Sequence, residues 1–218
     1  MNYLTFFIVL GGWIFSLCLH EFSHALVAYY GGDYTVREKG YLTFNPLKYT
    51  HPVFSIVLPL LFLLMGGIGL PGGAVYIERW RIRNRYWLSA MSLAGPLSNL
   101  VFAMILGLIL RFSPVTDSGI WPGVSFLLVL QISAVLFNLI PLPPFDGYNA
   151  IEPFLHPAIR MQVDRFRDMA IWIVLLAFWF VPFIGSFFWS TVFTFSTALG
   201  VDWSLAIDGL RRFRFWEL

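Results

Sequence analysis

Five consecutive residues, His20-Glu21-Phe22-Ser23-His24, spell H-E-x-x-H inside an apolar stretch that runs from about Tyr3 to Tyr30. An apolar run of that length reads as a membrane-spanning helix. A span that carries two imidazoles and a carboxylate must find them partners inside the protein, because each is expensive in hydrocarbon when left alone. On a helix, His20 and His24 lie one turn apart on the same face, so both can reach one metal ion. Glu21 projects beside them and has the chemistry of a general base acting on water at that metal. The bland alternative makes the histidines core residues bonded to backbone carbonyls and pairs Glu21 with a distant arginine. It leaves three costly groups on one helical turn unexplained.

The rest of the chain agrees with a membrane setting. Only 12% of its 218 residues are charged, against roughly 25% in soluble domains, and 58% are hydrophobic. The mean hydropathy is +0.74. The expected fold is an all-α polytopic membrane protein, a transmembrane helix bundle forming a single domain over residues 1–218. Its catalytic core is expected over about 3–155, a C-terminal membrane segment over about 169–201 and an interfacial tail over 202–218. A net charge of +2 is too small to imply nucleic acid. Cys18 is the only cysteine, so no intrachain disulfide exists, and its position relative to His20 puts it on another helical face as a packing residue. The N-terminal run lacks a basic leader and carries the motif itself, which argues against a cleaved signal peptide.

Further apolar segments are expected at about 52–70, 87–110 and 121–140. Gly31-Gly32 stops the first segment. Residues 169–201 hold no charge; as one straight helix these 33 residues would span about 50 Å, too long for a core of about 30 Å. Pro182 and Gly185 within them suggest a kink or a tight hairpin. Residues 74–86 alternate with period two, Arg79, Arg81, Arg83 and Arg85 against Tyr76, Trp80, Ile82 and Tyr86, which predicts a short β-strand or hairpin. A cationic interfacial loop anchored by its aromatics is the competing reading. If the run at 52–70 is re-entrant, ten basic residues between Arg37 and Arg167 share one side and only Arg111 borders the other. A full crossing scatters the same residues over both sides. The positive-inside rule therefore favours a membrane-associated re-entrant segment there, with the ten residues cytoplasmic.

A second specific signal lies at Asn138-Leu-Ile-Pro141-Leu-Pro143-Pro144-Phe-Asp146-Gly147. Three prolines in four positions cannot continue a helix, and irregular backbone at membrane depth is tolerated where protein or water lines a cavity. Asp146 can supply a third ligand, 122 residues beyond His24, and Gly147 can permit the turn that aims it. Asn138 can donate an amide hydrogen bond to substrate or to a developing oxyanion. Taken alone, the segment reads equally as an ordinary helix end.

These motifs, together with Ala94-Gly95-Pro96-Leu97-Ser98-Asn99, resemble the site-2 protease family of intramembrane zinc metalloproteases, peptidase family M50, over roughly residues 10–155. The resemblance implies one Zn2+ per chain held by His20, His24 and Asp146, with Glu21 activating the water. It implies a multi-pass protein of a bacterial-type cell membrane, cleaving transmembrane protein or peptide substrates within the lipid bilayer. Phe145 stands where the family often has leucine. No room is visible for the PDZ domain of larger members, so a minimal member is expected. Gly95, Pro96 and Asn99 are expected to serve helix packing, and His51 and His156 to be interfacial or packing residues rather than ligands. Two rival readings are a non-catalytic membrane scaffold that keeps the fold, which Glu21 argues against, and a metal transporter, which needs more than one ligand set along a path.

Overall fold

The computed structural model describes residues 2–48, 75–113, 115–214 and 216. The run at 52–70, expected to re-enter the membrane, lies outside them, as does His51. Helix α1 (Asn2–Gly31) carries the H-E-x-x-H motif through an unbroken helix. It stops at Gly32, whose φ of +120° is open to glycine, and whose missing side chain lets the Arg81 carbonyl approach. One helical turn at Thr35–Glu38 and a 3-10 turn at Pro46–Lys48 follow. Asn84 starts α2 (Arg85–Phe112) by accepting the N–H groups of Tyr86 and Trp87 on its side chain. Helix α3 (Trp121–Asn138) opens on Pro122, where a missing N–H is harmless, and ends before the prolines.

The three long helices are in register around the motif. Helix α2 runs antiparallel to α1: His24 meets Met91, His20 meets Gly95, and Phe15 meets Phe102. Helix α3 runs parallel to α1, with Thr5 and Ile8 against Gly123, Gly12 against Leu127, and Ser16 against Gln131. All three are long and apolar enough to cross a membrane. Helix α3 is enclosed on nearly every side, whereas α2 turns Leu97, Val101, Met104, Ile105 and Leu108 outward. An apolar outer face of that kind suits lipid rather than water.

Short helix α4 (Asp146–Ile151) follows the proline loop, and α5 (Pro157–Asp164) follows a 3-10 turn at Glu152–Phe154. Helices α6 (Arg167–Phe180) and α7 (Pro182–Ala198) are broken at Pro182 and bent by 84°, the kink that the proline predicts. Helix α8 (Trp203–Phe213), capped by Asp202, lays Leu205, Ala206, Gly209 and Phe213 inward. It closes the bundle at the end remote from His20, where Phe213 stacks on Phe6 and Gly209 abuts the Pro122 carbonyl.

The β-strand expected within residues 74–86 is not formed, and no strand occurs among the described residues. Residues 75–78 have no regular secondary structure, and Arg79–Arg81 form a 3-10 turn. The alternation has another cause. Arg81 folds back to Glu78 at 2.6 Å and lies over the Trp80 ring at 4.3 Å, contacts that a tight turn makes and a strand does not. The Val75 and Glu78 N–H groups are bound by the carboxylates of Glu21 and Asp33, which removes them from any strand ladder.

Candidate metal centre

Helix α1 brings His20 and His24 into contact, with Nε2 to Nε2 at 3.0 Å and ring centroids 4.6 Å apart. Both are buried. Asp146 reaches them from the start of α4, Oδ2 lying 3.2 Å from His20 Nε2 and 3.4 Å from His24 Nε2. The loop that carries Asp146 is pressed onto the end of α3. Phe145 is buried edge-on against Phe137 with centroids 5.0 Å apart. Gly147 sits against the carbonyls of Leu139 and Ile140, so a side chain there would push the loop away. Gly147 is helical, so close approach rather than a turn explains it.

Three ligand atoms from two distant segments thus lie within 4.8 Å of one another. Bonds of about 2.0–2.1 Å to a tetrahedral zinc put neighbouring ligand atoms about 3.3 Å apart. The observed separations of 3.0, 3.2 and 3.4 Å match that edge length. The donor set fits as well. His24 Nδ1 faces the Met91 carbonyl at 2.7 Å, and since a carbonyl only accepts, Nδ1 carries the proton. In the neutral ring His24 Nε2 then turns a lone pair toward another nitrogen and a carboxylate, an arrangement that a cation satisfies. Gly95 supplies the room: a β-carbon built on it would meet Nε2 of both histidines.

Glu21 is buried on the same turn and accepts the Val75 N–H on Oε2 at 3.1 Å. His20, Glu21, His24, Asp146, Asn138, Val75, Arg79 and Asn149 line one cavity of about 430 Å³. All five residues picked from the sequence therefore share it. Asn138 donates to the Ala134 carbonyl of its own helix at 3.1 Å. His156 stands apart from the cluster and caps α5, accepting the Ala158 N–H on Nδ1. Cys18 is buried in a packing cluster with Ala25, Ala28 and Met91.

Several contributors have no sequence signature. Met91 and Val75 act through backbone groups. Asp33 is fully buried and accepts Glu78 N–H at 2.7 Å, anchoring the chain that borders the cavity. Arg81 and Lys39, both donating to Glu78, hold its carboxyl below the ordinary range and fasten the same chain to the first loop. Glu152, buried, joins Arg79 of the cavity wall at 2.7 Å to Arg160 of α5 at 2.6 Å. Glu152 is one of three acidic residues between the arginine-rich segments, with Asp117 and Asp146, so nothing in the spacing singled it out.

Comparison with known proteins gives relatives along the full chain. It is 42% identical to "Putative zinc metalloprotease Rip2" of Mycolicibacterium smegmatis, across 98% of this chain and 82% of the relative. The corresponding Rip2 of Mycobacterium tuberculosis is 41% identical over the same shares. "Putative zinc metalloprotease YwhC" of Bacillus subtilis is 32% identical over 80% of each chain. No family model and no solved structure matches.

Proposed function

Because the chain belongs to the zinc metalloprotease family of Rip2 and YwhC, we propose that it is an intramembrane protease of the site-2 type. It hydrolyses peptide bonds within or near transmembrane segments of membrane-protein substrates. It is an integral, multi-pass protein of a bacterial-type cell membrane, with one Zn2+ per chain and its loop arginines and lysines on the cytoplasmic side. One observation carries the reading: His20, His24 and Asp146 converge within 4.8 Å, with Glu21 on the same cavity wall, in a helix apolar enough to cross a membrane.

Zinc held by these three residues would polarise the scissile carbonyl and make water a usable nucleophile near neutral pH. Glu21 takes the proton of the attacking water and returns it to the leaving amine. Its hydrogen bond to Val75 holds the carboxylate at the cavity edge. Asn138 has a second amide N–H available beyond its bond to Ala134, suited to a substrate carbonyl as charge develops on oxygen. A helical substrate hides its carbonyls and must unwind to be cut. Val75, Tyr76 and Ile77 line the cavity beside Glu21, so an unwound segment entering it lies against them. An apolar groove of about 440 Å³ between the α3 end and the bent α6–α7 pair gives an approach from lipid. Helix α6 borders both spaces, through Ile171 in the cavity and Val174 in the groove.

The test is purified protein in detergent or lipid with a generic transmembrane peptide. One zinc per chain and cleavage abolished by chelation are expected. Bound zinc without cleavage of any membrane peptide would move the protein to the non-catalytic scaffold reading.

A further inference from the structure

His20 and His24 differ in their outer ring nitrogen. His24 Nδ1 is bonded to the Met91 carbonyl. His20 Nδ1 is buried and has no hydrogen-bond partner among the described residues. A metal-binding imidazole ordinarily donates this N–H to a carbonyl, a carboxylate or water, which fixes the ring and its tautomer.

The register of the three long helices supplies the partner. Side chains on a helix lean toward its N-terminus, so the His20 ring leans toward the level of Ser16. At that level Ser16 Oγ donates to Gln131 Oε1 at 2.6 Å, and Gln131 is fully buried with Nε2 unpartnered. Asn99 reaches the same level from α2, one turn beyond the Gly95 that touches His20, and its buried Oδ1 is also unpartnered. One unpartnered donor on α3, Gln131 Nε2, and one unpartnered acceptor on α2, Asn99 Oδ1, thus lie at the level one turn beneath His20 Nδ1, itself an unpartnered group on α1. One turn is about 5.4 Å, and two hydrogen bonds of about 2.8 Å in series cover it. Thr5 Oγ1, another buried unpartnered oxygen on α1, lies about 22 Å along the helix from His20 and cannot serve.

Resting on the reading of His20 as a metal ligand, we infer that Asn99 and Gln131 are positioning residues for the metal centre, holding one buried water against His20 Nδ1. The water accepts from His20 and from Gln131 and donates to Asn99. Three bonds are what buried waters typically make. The layer keeps the Nδ1 proton in place and the Nε2 lone pair on the metal, as the Met91 carbonyl does for His24. Asn99 therefore acts on the metal and not only on helix packing.

Zinc affinity, measured by chelator competition, separates these roles. Asn99→Leu is expected to weaken zinc binding about 10–100-fold. Asn99→Asp, which keeps the acceptor, recovers most of the loss. Thr5→Val leaves affinity unchanged. Wild-type affinity in Asn99→Leu, or equal losses in Leu and Asp, would overturn the inference while leaving the metal centre standing. Wild-type protein that binds no zinc would remove the premise and the inference together. Should Asn99→Leu fail to fold, a high-resolution structure of the wild type decides: an ordered water touching all three side chains supports the layer, and a dry layer there overturns it.

Discussion

Val75 donates its backbone N–H to the Glu21 carboxylate across 3.1 Å, joining residues 54 positions apart in sequence. The residue suited to be the base is thereby tied to the chain that borders the cavity. Glu21→Gln keeps the shape and an acceptor for Val75 but has no usable basicity. Zinc content should stay near stoichiometric, and cleavage should fall by at least the roughly 10²–10⁴-fold of a lost general base. Wild-type turnover in this variant, with zinc bound, would end the proposed mechanism.

Val75→Pro removes that N–H while leaving Glu21 intact. A hydrogen bond to a charged group contributes about 1.5 kcal/mol or more, so cleavage should drop about tenfold or further at unchanged zinc content. Equal turnover in single-turnover assays of the two proteins would mean that the Val75 contact does not orient the base.

Gly95→Ala inverts the usual expectation for a helix. Alanine favours a helix over glycine by about 1 kcal/mol, yet here its methyl would enter the space of both Nε2 atoms. Elemental analysis should find zinc strongly depleted, without a matching fall in helix content by circular dichroism. Full zinc occupancy would place the metal elsewhere.

Asp146→Ala leaves two histidines as the only protein ligands, fewer than the three that catalytic zinc sites use. Zinc content and activity should fall together. Retained metal in this variant would take Asp146 out of the ligand set.

Side of exposure follows from the charge distribution. In a Cys18→Ser background, single cysteines at the exposed positions 37, 83 and 165 should react with an impermeant reagent from one face of the membrane, and a cysteine at 117 from the other. Opposite labelling of 37 and 83 would require the run at 52–70 to cross fully.

The long helices and the meeting of His20, His24 and Asp146 were legible because each is written locally. Expected segments at 3–30, 87–110 and 121–140 correspond to α1, α2 and α3, and the run at 169–201 breaks at Pro182 as the proline suggested. His20 and His24 are coupled by helical spacing alone, and Asp146 by the proline-broken end before it. The strand at 74–86 misled because arginine and aromatic residues that stack in a turn alternate as strand faces do. Asn84, a strong N-cap in front of a helical run, was the signal to stop the pattern earlier. Gly95 was readable only as a packing glycine, since nothing local tells that the helix it meets carries the ligands. Met91 and Val75 contribute a carbonyl and an N–H, which every residue has, so no sequence pattern could single them out.

The partners of α1 arrive in a fixed order as the chain is made. Val75 follows Glu21 by 54 residues, Met91 follows His24 by 67, and Asp146 comes last. When α1 first enters the membrane, none of its three ionisable groups has its eventual partner from the rest of the chain. Its apolar length, 29 residues at a mean hydropathy of 1.8 in the best window, has to carry them alone. A nascent chain shorter than 146 residues therefore holds His20, Glu21 and His24 without the carboxylate that completes the cluster.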